Sequence, residues 1–327
     1  MKKLLLFALI AITITTFNAC SKDNNGDNSW TDDSPIIEFK DPYFEEALLN
    51  LNIDKNKDRK ISEKEASVIV SLNISWYDDD QVKIRNIDEI SYFKALKQLY
   101  CSNNQLTSLD VSKNTALEVL ACDNNQLTSL DVSKNTALKQ LYCSNNQLTS
   151  LDVSKNTALE DLACTNNPLL TSLDVSGATA LKGLSCYSNN QLTSLDVSKN
   201  TALEKLYCDN NQLTSLDVSG ATALEKLYCS NNQLTSLDIS GATALDWLVC
   251  SNNQLTSLKT NTALETLDCS NNQLTSLDVS KCKKLEILQC KENPNLKSII
   301  IYKYHIIGQK FLDAITKEYG DIITYKE

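Results

Sequence analysis

A solenoid dominated by short parallel β-strands is the fold this sequence predicts, and three observations predict it. First, a unit of 21 residues recurs ten times almost verbatim, starting at Leu96, Leu117, Leu138, Leu159, Leu181, Leu203, Leu224, Leu245, Leu264 and Leu285. Two of the intervals are 22 residues and one is 19. A fixed period in this range means stacked coils, each too small to bury its own apolar edge. Second, the apolar positions are fixed: Leu96, Leu99, Cys101, Leu106, Leu109 and Val111 in the first unit. Third, Leu99 and Cys101 alternate with Gln98 and Tyr100, the period of a strand with one buried face.

Within a unit, the second half, Leu106-x-x-Leu109-x-Val111, repeats the spacing of the first, so both halves are expected to contribute extended segments. Asn104 and its equivalents, Asn125, Asn146, Asn167, Asn190, Asn211, Asn232, Asn253, Asn272 and Asn293, form a column at the bend after the strand. An Asn there can satisfy backbone groups that the turn leaves unpaired. Ten of the twelve cysteines, from Cys101 to Cys290, share one phase, once per coil. In-register parallel strands hold such side chains about 4.8 Å apart and pointing the same way. A disulfide wants Cβ atoms about 3.8 Å apart on converging vectors. The ladder therefore reads as small core hydrophobes. Cys282 replaces the Asn of a Ser-Lys-Asn-Thr turn and is expected on the surface, as a free thiol or a dimer link.

The motif L-x-x-L-x-C-x-x-N-x-L-x-x-L-D-V, from residue 96 to about 299, resembles bacterial leucine-rich-repeat surface lipoproteins of the internalin-like kind, in the nested class of 10 + 11 residues. The resemblance implies a leucine-rich-repeat solenoid. It is specific for fold and unspecific for function, because repeat scaffolds carry many ligands.

Taken in order, Met1-Lys2-Lys3 and the apolar stretch after it read as a signal peptide over 1–19. Phe17-Asn18-Ala19-Cys20 resembles a lipobox, with Cys20 the acylated residue; ordinary cleavage after Ala19 is the alternative. Residues 20–34 then form a polar tether. Its Ser21-Lys22-Asp23 start resembles a signal that sends lipoproteins to the outer face of the outer membrane; a plain spacer is the alternative. The expected location is therefore the outer membrane, exposed on the cell surface.

Residues 35–95 read as an N-terminal cap. Asp41-Pro42 suits a helix start, with Phe44, Ala47, Leu48 and Leu51 on one face. The stretch from Asp54 to Glu65 resembles an EF-hand loop, with Asp54, Asn56, Asp58, Ser62 and Glu65 as side-chain ligands and the backbone of Lys60 completing the set. The implied ion is Ca²⁺, bound weakly at roughly 10⁻⁴–10⁻³ M. Arg59 stands where such loops carry Gly, at a cost of roughly 1–2 kcal/mol. The competing reading is a capping box, Ser62 with Glu65, starting a helix over 63–72. Residues 70–74 and 84–93 are expected to cover the open edge of the first coil. The repeats run over 96–305. A small α/β cap over 306–327 holds a helix marked by Phe311, Ala314 and Ile315 and a closing strand at Ile322-Ile323.

The chain has 41 acidic and 31 basic residues and a net charge of −10, more negative once Lys2 and Lys3 leave with the leader. That balance argues against nucleic acid as a partner. The single His, His305, and the absence of nucleophile, phosphate-loop or zinc motifs argue against an enzyme. The Asp after the second-half Leu, as in Asp110 and Asp131, gives an exposed acidic column that the turn lysines can offset; low-affinity cation binding along it is the alternative.

The outward positions of the first-half strand vary while the rest of the unit stays constant, so they are free to recognise something; drift on an unconstrained surface is the alternative. Tyr100, Tyr142, Lys205, Tyr207, Lys226, Tyr228 and Trp247 are the candidate ligand-binding residues. The expected ligand is a protein of a host or neighbouring cell, recognised by an adhesin-like surface. The alternatives are a glycan, or a cell-envelope spacer with no specific ligand.

Overall fold

The repeating Leu-x-Cys segment forms the strand, and its Leu sets the register. The computed structural model describes residues 32–76, 83–302 and 319–326. The leader, Cys20, most of the tether, His305 and the helix expected around Phe311 lie outside them.

Eleven three-residue strands make one parallel sheet, one strand per coil, in strict chain order from Ser71–Asn73 and Gln98–Tyr100 to Ile287–Gln289. The central Leu of each strand pairs with the Leu of the next coil, as Leu99 with Leu120 and Leu227 with Leu248. Leu72 continues that row into the cap by pairing with Leu99. The expected edge cover at 70–74 is thus a full member of the sheet. Across the core, the second halves of some coils form smaller parallel sheets: Ser150–Asp152 with Ser172–Asp174, and Ser236–Asp238 with Ser257–Lys259. A third, separate sheet joins Leu277–Asp278, Ile299–Tyr302 and Ile323–Lys326, and the last of these strands is the expected closing strand.

The Asn-Asn pair that follows every ladder Cys but Cys290 divides two tasks. The first Asn takes positive φ, 60° at Asn103 and 55° at Asn124, where Asn is tolerated better than most residues. The second is buried and joins two coils. Asn125 Nδ2 donates to Cys101 O at 3.0 Å and Cys122 O at 3.1 Å, while Leu106 N donates to its Oδ1 at 3.0 Å. In the coil that starts at Leu181 the expected column residue, Asn190, is displaced. Asn190 takes positive φ there, and Asn189 is the buried member, donating to Cys186 O at 2.7 Å. Ser188 takes the positive φ of the first Asn, 59°, so the extra residue of this coil follows Asn189, which the count from Leu181 places in phase.

A second Asn column runs through Asn114, Asn135 and Asn156, all fully buried. Asn135 Nδ2 donates to Val111 O and Asn114 O one coil back, at 3.0 and 2.9 Å. Cys282 stands in this column, which corrects the expectation of an exposed thiol. It is fully buried, and its Sγ–H donates to Asn261 O at 3.1 Å. The turn that looked like surface is where one coil docks on the next. The ten ladder cysteines are buried free thiols. Burial pushes the nine ladder thiols from Cys101 to Cys269 up, which keeps them protonated and inert.

The cap begins with helix α1, Pro42–Asn50, whose N-cap Asp41 accepts from Tyr43 N at 2.9 Å. Phe44 and Leu48 are fully buried and Ala47 packs beside them. Leu51 does not join that face: the helix stops before it and it stays exposed. Helix α2 covers only Glu63–Ser67, shorter than the expected 63–72. The β-branched run Val68-Ile69-Val70 leaves the helix because the first coil claims it. Ala95 N donates to Ser67 O, and Lys97 N and Gln98 N donate to Val70 O. Ile84, Ile87, Ile90 and Phe93 then close the core beneath the first coil.

Candidate ligand-binding face

Outward positions of the eleven-stranded sheet stack in columns, because every strand is parallel and in register. Tyr207 faces Tyr228 directly, while Lys205, Lys226 and Trp247 share the neighbouring column. The rings of Tyr207 and Tyr228 stack with centroids 5.1 Å apart and planes 25° from parallel. Trp247 leans back across its column to lie 6.4 Å from Tyr228 at 22°. The three rings form one slab across three coils. All three are half-buried rather than fully outward. Stacked pairs contribute about 0.5–1.5 kcal/mol each beyond their buried area. Trp247 Nε1 is buried with no acceptor among the described residues.

Tyr100 and Tyr142 do not join this slab. The strands Asp161–Ala163 and Gly183–Ser185 stand between them and Tyr207. They lie on either side of Ala121 in the same outward column. Burial first, then the charges of Asp161 and Asp123, push the Tyr142 phenol up to about 12.

Two carboxylates went unnoticed in the sequence. The residue after the ladder Cys is Ser or Thr in six coils, but Asp123 and Asp209 occupy it next to the two tyrosine pairs. Both are held well out of solvent. Asp209 Oδ1 accepts from Ser230 N at 2.9 Å, and Asp123 Oδ1 accepts from Ser144 N at 2.8 Å. Desolvation raises both, Asp209 to about 6. The signal was present as a break in a near-constant position.

Charges at the start of each strand behave differently along the sheet. In the first half Lys97 and Lys139 flank Glu118 at 3.0 and 2.8 Å, and Lys182 reaches Glu160 at 2.8 Å. These pairs are exposed and contribute at most about 1 kcal/mol each. From Glu204 onward the same column reads Glu204, Glu225, Asp246, Glu265 and Glu286. No ion pair reaches any of these five among the described residues. On the other side of the coil, the acidic column is anchored locally. Asp110, Asp131, Asp196 and Asp217 each accept from the backbone N–H of the Ser two residues on, at 2.9 Å. Hydrogen bonds to that Ser hold these carboxyls below the usual range; the turn lysines come after them as a cause at Asp110, Asp131 and Asp196, and Asp217 has Gly220 in that place.

The EF-hand-like loop is closed by its own hydrogen bonds. Asp54 accepts from Lys57 N at 2.6 Å and Arg59 N at 2.8 Å. Asn56 accepts from Asp58 N at 3.0 Å, and Asp58 from Lys60 N at 2.8 Å. Arg59 takes φ 67°, where Gly is usual. Glu65 is buried; its Oε1 accepts from Lys55 N at 2.6 Å and its Oε2 from Ser62 N at 2.9 Å. The capping box with Ser62 is fully formed. No three His, Cys, Asp or Glu side chains are grouped to hold a metal among the described residues.

The family model "Leucine Rich repeats (2 copies)" matches residues 83–135, 136–177, 179–220 and 262–303, more than half of the chain. The chain belongs to the leucine-rich-repeat family. Among solved structures it is similar to the functional domain of InlJ from Listeria monocytogenes, described as including a cysteine ladder, with 35% identity and TM-score 0.64. That match covers 73% of this chain, which spans 57% of the InlJ chain. The internalin InlF of Listeria monocytogenes matches at 21% identity and TM-score 0.55, covering 88% of this chain and 95% of that one. A leucine-rich-repeat protein of Leptospira interrogans matches at 22% and 0.54, covering 82% and 75%. The latter two bear on the fold alone. No curated protein matches this leucine-rich-repeat chain in sequence.

Proposed function

We propose that this is a surface-anchored, adhesin-like binding protein that recognises a protein of a host or neighbouring cell through the strand face of its repeats. The observation that supports this reading is the slab of Tyr207, Tyr228 and Trp247. The outward strand positions vary from coil to coil, yet three coils in succession place a ring here. Aromatic rings supply large contact area at low entropic cost and dominate interface hot spots. Lys205 and Lys226 border the slab, and Tyr100 with Tyr142 forms a secondary contact. Cells displaying the full chain should attach to target-cell monolayers. Tyr207→Ala with Trp247→Ala should weaken attachment by more than about 2 kcal/mol. Some loss of melting temperature will follow, because the rings are half-buried. Tyr228→Phe, which keeps the stack, serves as the folded comparison. Attachment that survives the double substitution would favour a spacer; attachment abolished by free sugars would favour a glycan ligand.

Anchoring at Cys20 belongs to the same reading. An acylated Cys20 would hold the protein in the outer membrane, with residues 20–34 as tether. Cys20→Ala should move the protein from the membrane fraction to the medium, or leave it unprocessed. An unmodified Cys20 at the mature N-terminus would remove the anchor.

The loop from Asp54 to Glu65 keeps an oxygen donor at each position a Ca²⁺ ion needs: Asp54, Asn56, Asp58, Ser62, Glu65 and the Lys60 carbonyl. An ion there would compete with the N–H groups already bound to these carboxylates, and with the charges of Lys55, Lys57 and Arg59. Binding would therefore be weak, and its effect would be to stiffen the cap.

A further inference from the structure

The acidic stripe beside the slab is not required by the fold. In the first half of the same column, alternating Lys and Glu neutralise one another across coils. From Glu204 to Glu286 five carboxylates follow in succession at strand spacing, with no ion pair among the described residues. Like charges on neighbouring strands oppose folding. On the opposite border lies Asp209, which accepts from Ser230 N beside Tyr228, while Asp268 continues the tyrosine column itself, pairing with Val249 one coil beyond the slab. Lys205 and Lys226 stand opposite each other at one end of the slab, so the Trp247 end carries the greatest excess of negative charge. Flat rings at stacking distance with carboxylates on both borders match a guanidinium or ammonium group, which stacks on aromatic faces and pairs with carboxylates.

Building on the binding reading above, we propose that the partner presents a lysine- or arginine-rich polypeptide segment to this half of the sheet. Its cations stack on the Tyr207–Tyr228–Trp247 slab and pair with the carboxylates around it, Asp209, Asp246, Glu265 and Asp268 foremost. Burial of Asp209 with no ion pair among the described residues agrees with this. A partner's cation would replace the water that the carboxylate has lost.

The test uses a fluorescent hexa-arginine peptide and anisotropy on the full chain at about 0.15 M salt, where distant charges are screened. The wild type should bind it, and hexa-glutamate should not bind. Asp209→Asn with Asp268→Asn keeps the oxygens that accept from Ser230 N and Ser270 N. That pair should weaken binding at least about tenfold, as loss of close charge pairs does. The matched control is Asp152→Asn with Asp174→Asn, the same charge removal on the other side of the coil, where each carboxylate accepts from the N–H of the Ser two residues on. It should change binding less than about twofold. Equal loss from both pairs, or no binding by the wild type, would overturn the proposal. Tighter binding of a hexa-glucosamine would overturn the polypeptide and assign an amine-bearing glycan. If Tyr207→Ala with Trp247→Ala abolishes cell attachment while hexa-arginine does not compete for it, the binding face stands and its cationic partner falls.

Discussion

Asp209 carries the sharpest consequence for a single residue. It sits half-buried among the rings with a backbone N–H as its partner, and loss of water raises its folded pKa from 3.8 to about 6. Between those values the folded chain holds a proton that the unfolded chain has released. Stability from this group is therefore full below the unfolded value and is lost as pH rises through the folded one. Asp209→Asn, whose amide keeps an acceptor for Ser230 N, should stabilise the protein near pH 7 by on the order of 2 kcal/mol. Below about pH 4 the gain should vanish. Denaturant unfolding at the two pH values checks this. Equal stability of the two proteins at pH 7 would mean that water reaches the carboxylate. A residue kept at such a cost, in a position that Ser or Thr fills in six other coils, fits binding better than folding.

The cap and the turns show how much of each element could be read in advance. The strand, its buried Leu and the Cys ladder were legible because one pattern, seen ten times, allows one phase. Helix α1 was legible from Asp41-Pro42. The length of α2 was not, because Val68-Ile69-Val70 suits either state locally and pairing with Lys97 and Gln98 decides it. Cys282 was misplaced for a related reason: polar turn residues read as surface, and only coil stacking shows that they face a carbonyl one coil back. The slab was legible as columns but not as a stack, since the tilt of Trp247 is a side-chain property. At the Asp54–Glu65 loop, calcium at millimolar concentration should raise the melting temperature through binding to the native state alone. Glu65→Gln should abolish that rise while keeping a capping-box acceptor for Ser62 N. A melting temperature indifferent to calcium would leave the loop as a helix cap.

At the scale of the whole molecule, every coil contacts its two neighbours and little else, so stability approximates a sum of nearly equal interface terms. Function is not spread in the same way: the aromatic and acidic features gather between Glu204 and Asp268. Two deletions of equal length separate these properties. Removing residues 117–158 joins Ala116 to Leu159, and removing residues 203–244 joins Ala202 to Leu245; each takes out two coils, 42 residues, in phase. The first leaves Lys97 beside Glu160, preserving the alternation of charge, and leaves the slab whole. The second removes Tyr207, Tyr228 and Asp209 together. Both proteins should fold, with circular dichroism of the same kind and denaturant slopes reduced alike, since equal surface is lost from the unfolding reaction. Their melting temperatures should lie close together. Their binding should not: the first should retain hexa-arginine binding and cell attachment, and the second should lose both. Loss of binding in the first deletion, with its fold intact, would move the recognition surface toward Tyr100 and Tyr142. Failure of either chain to fold would show that the coils depend on more than their neighbours.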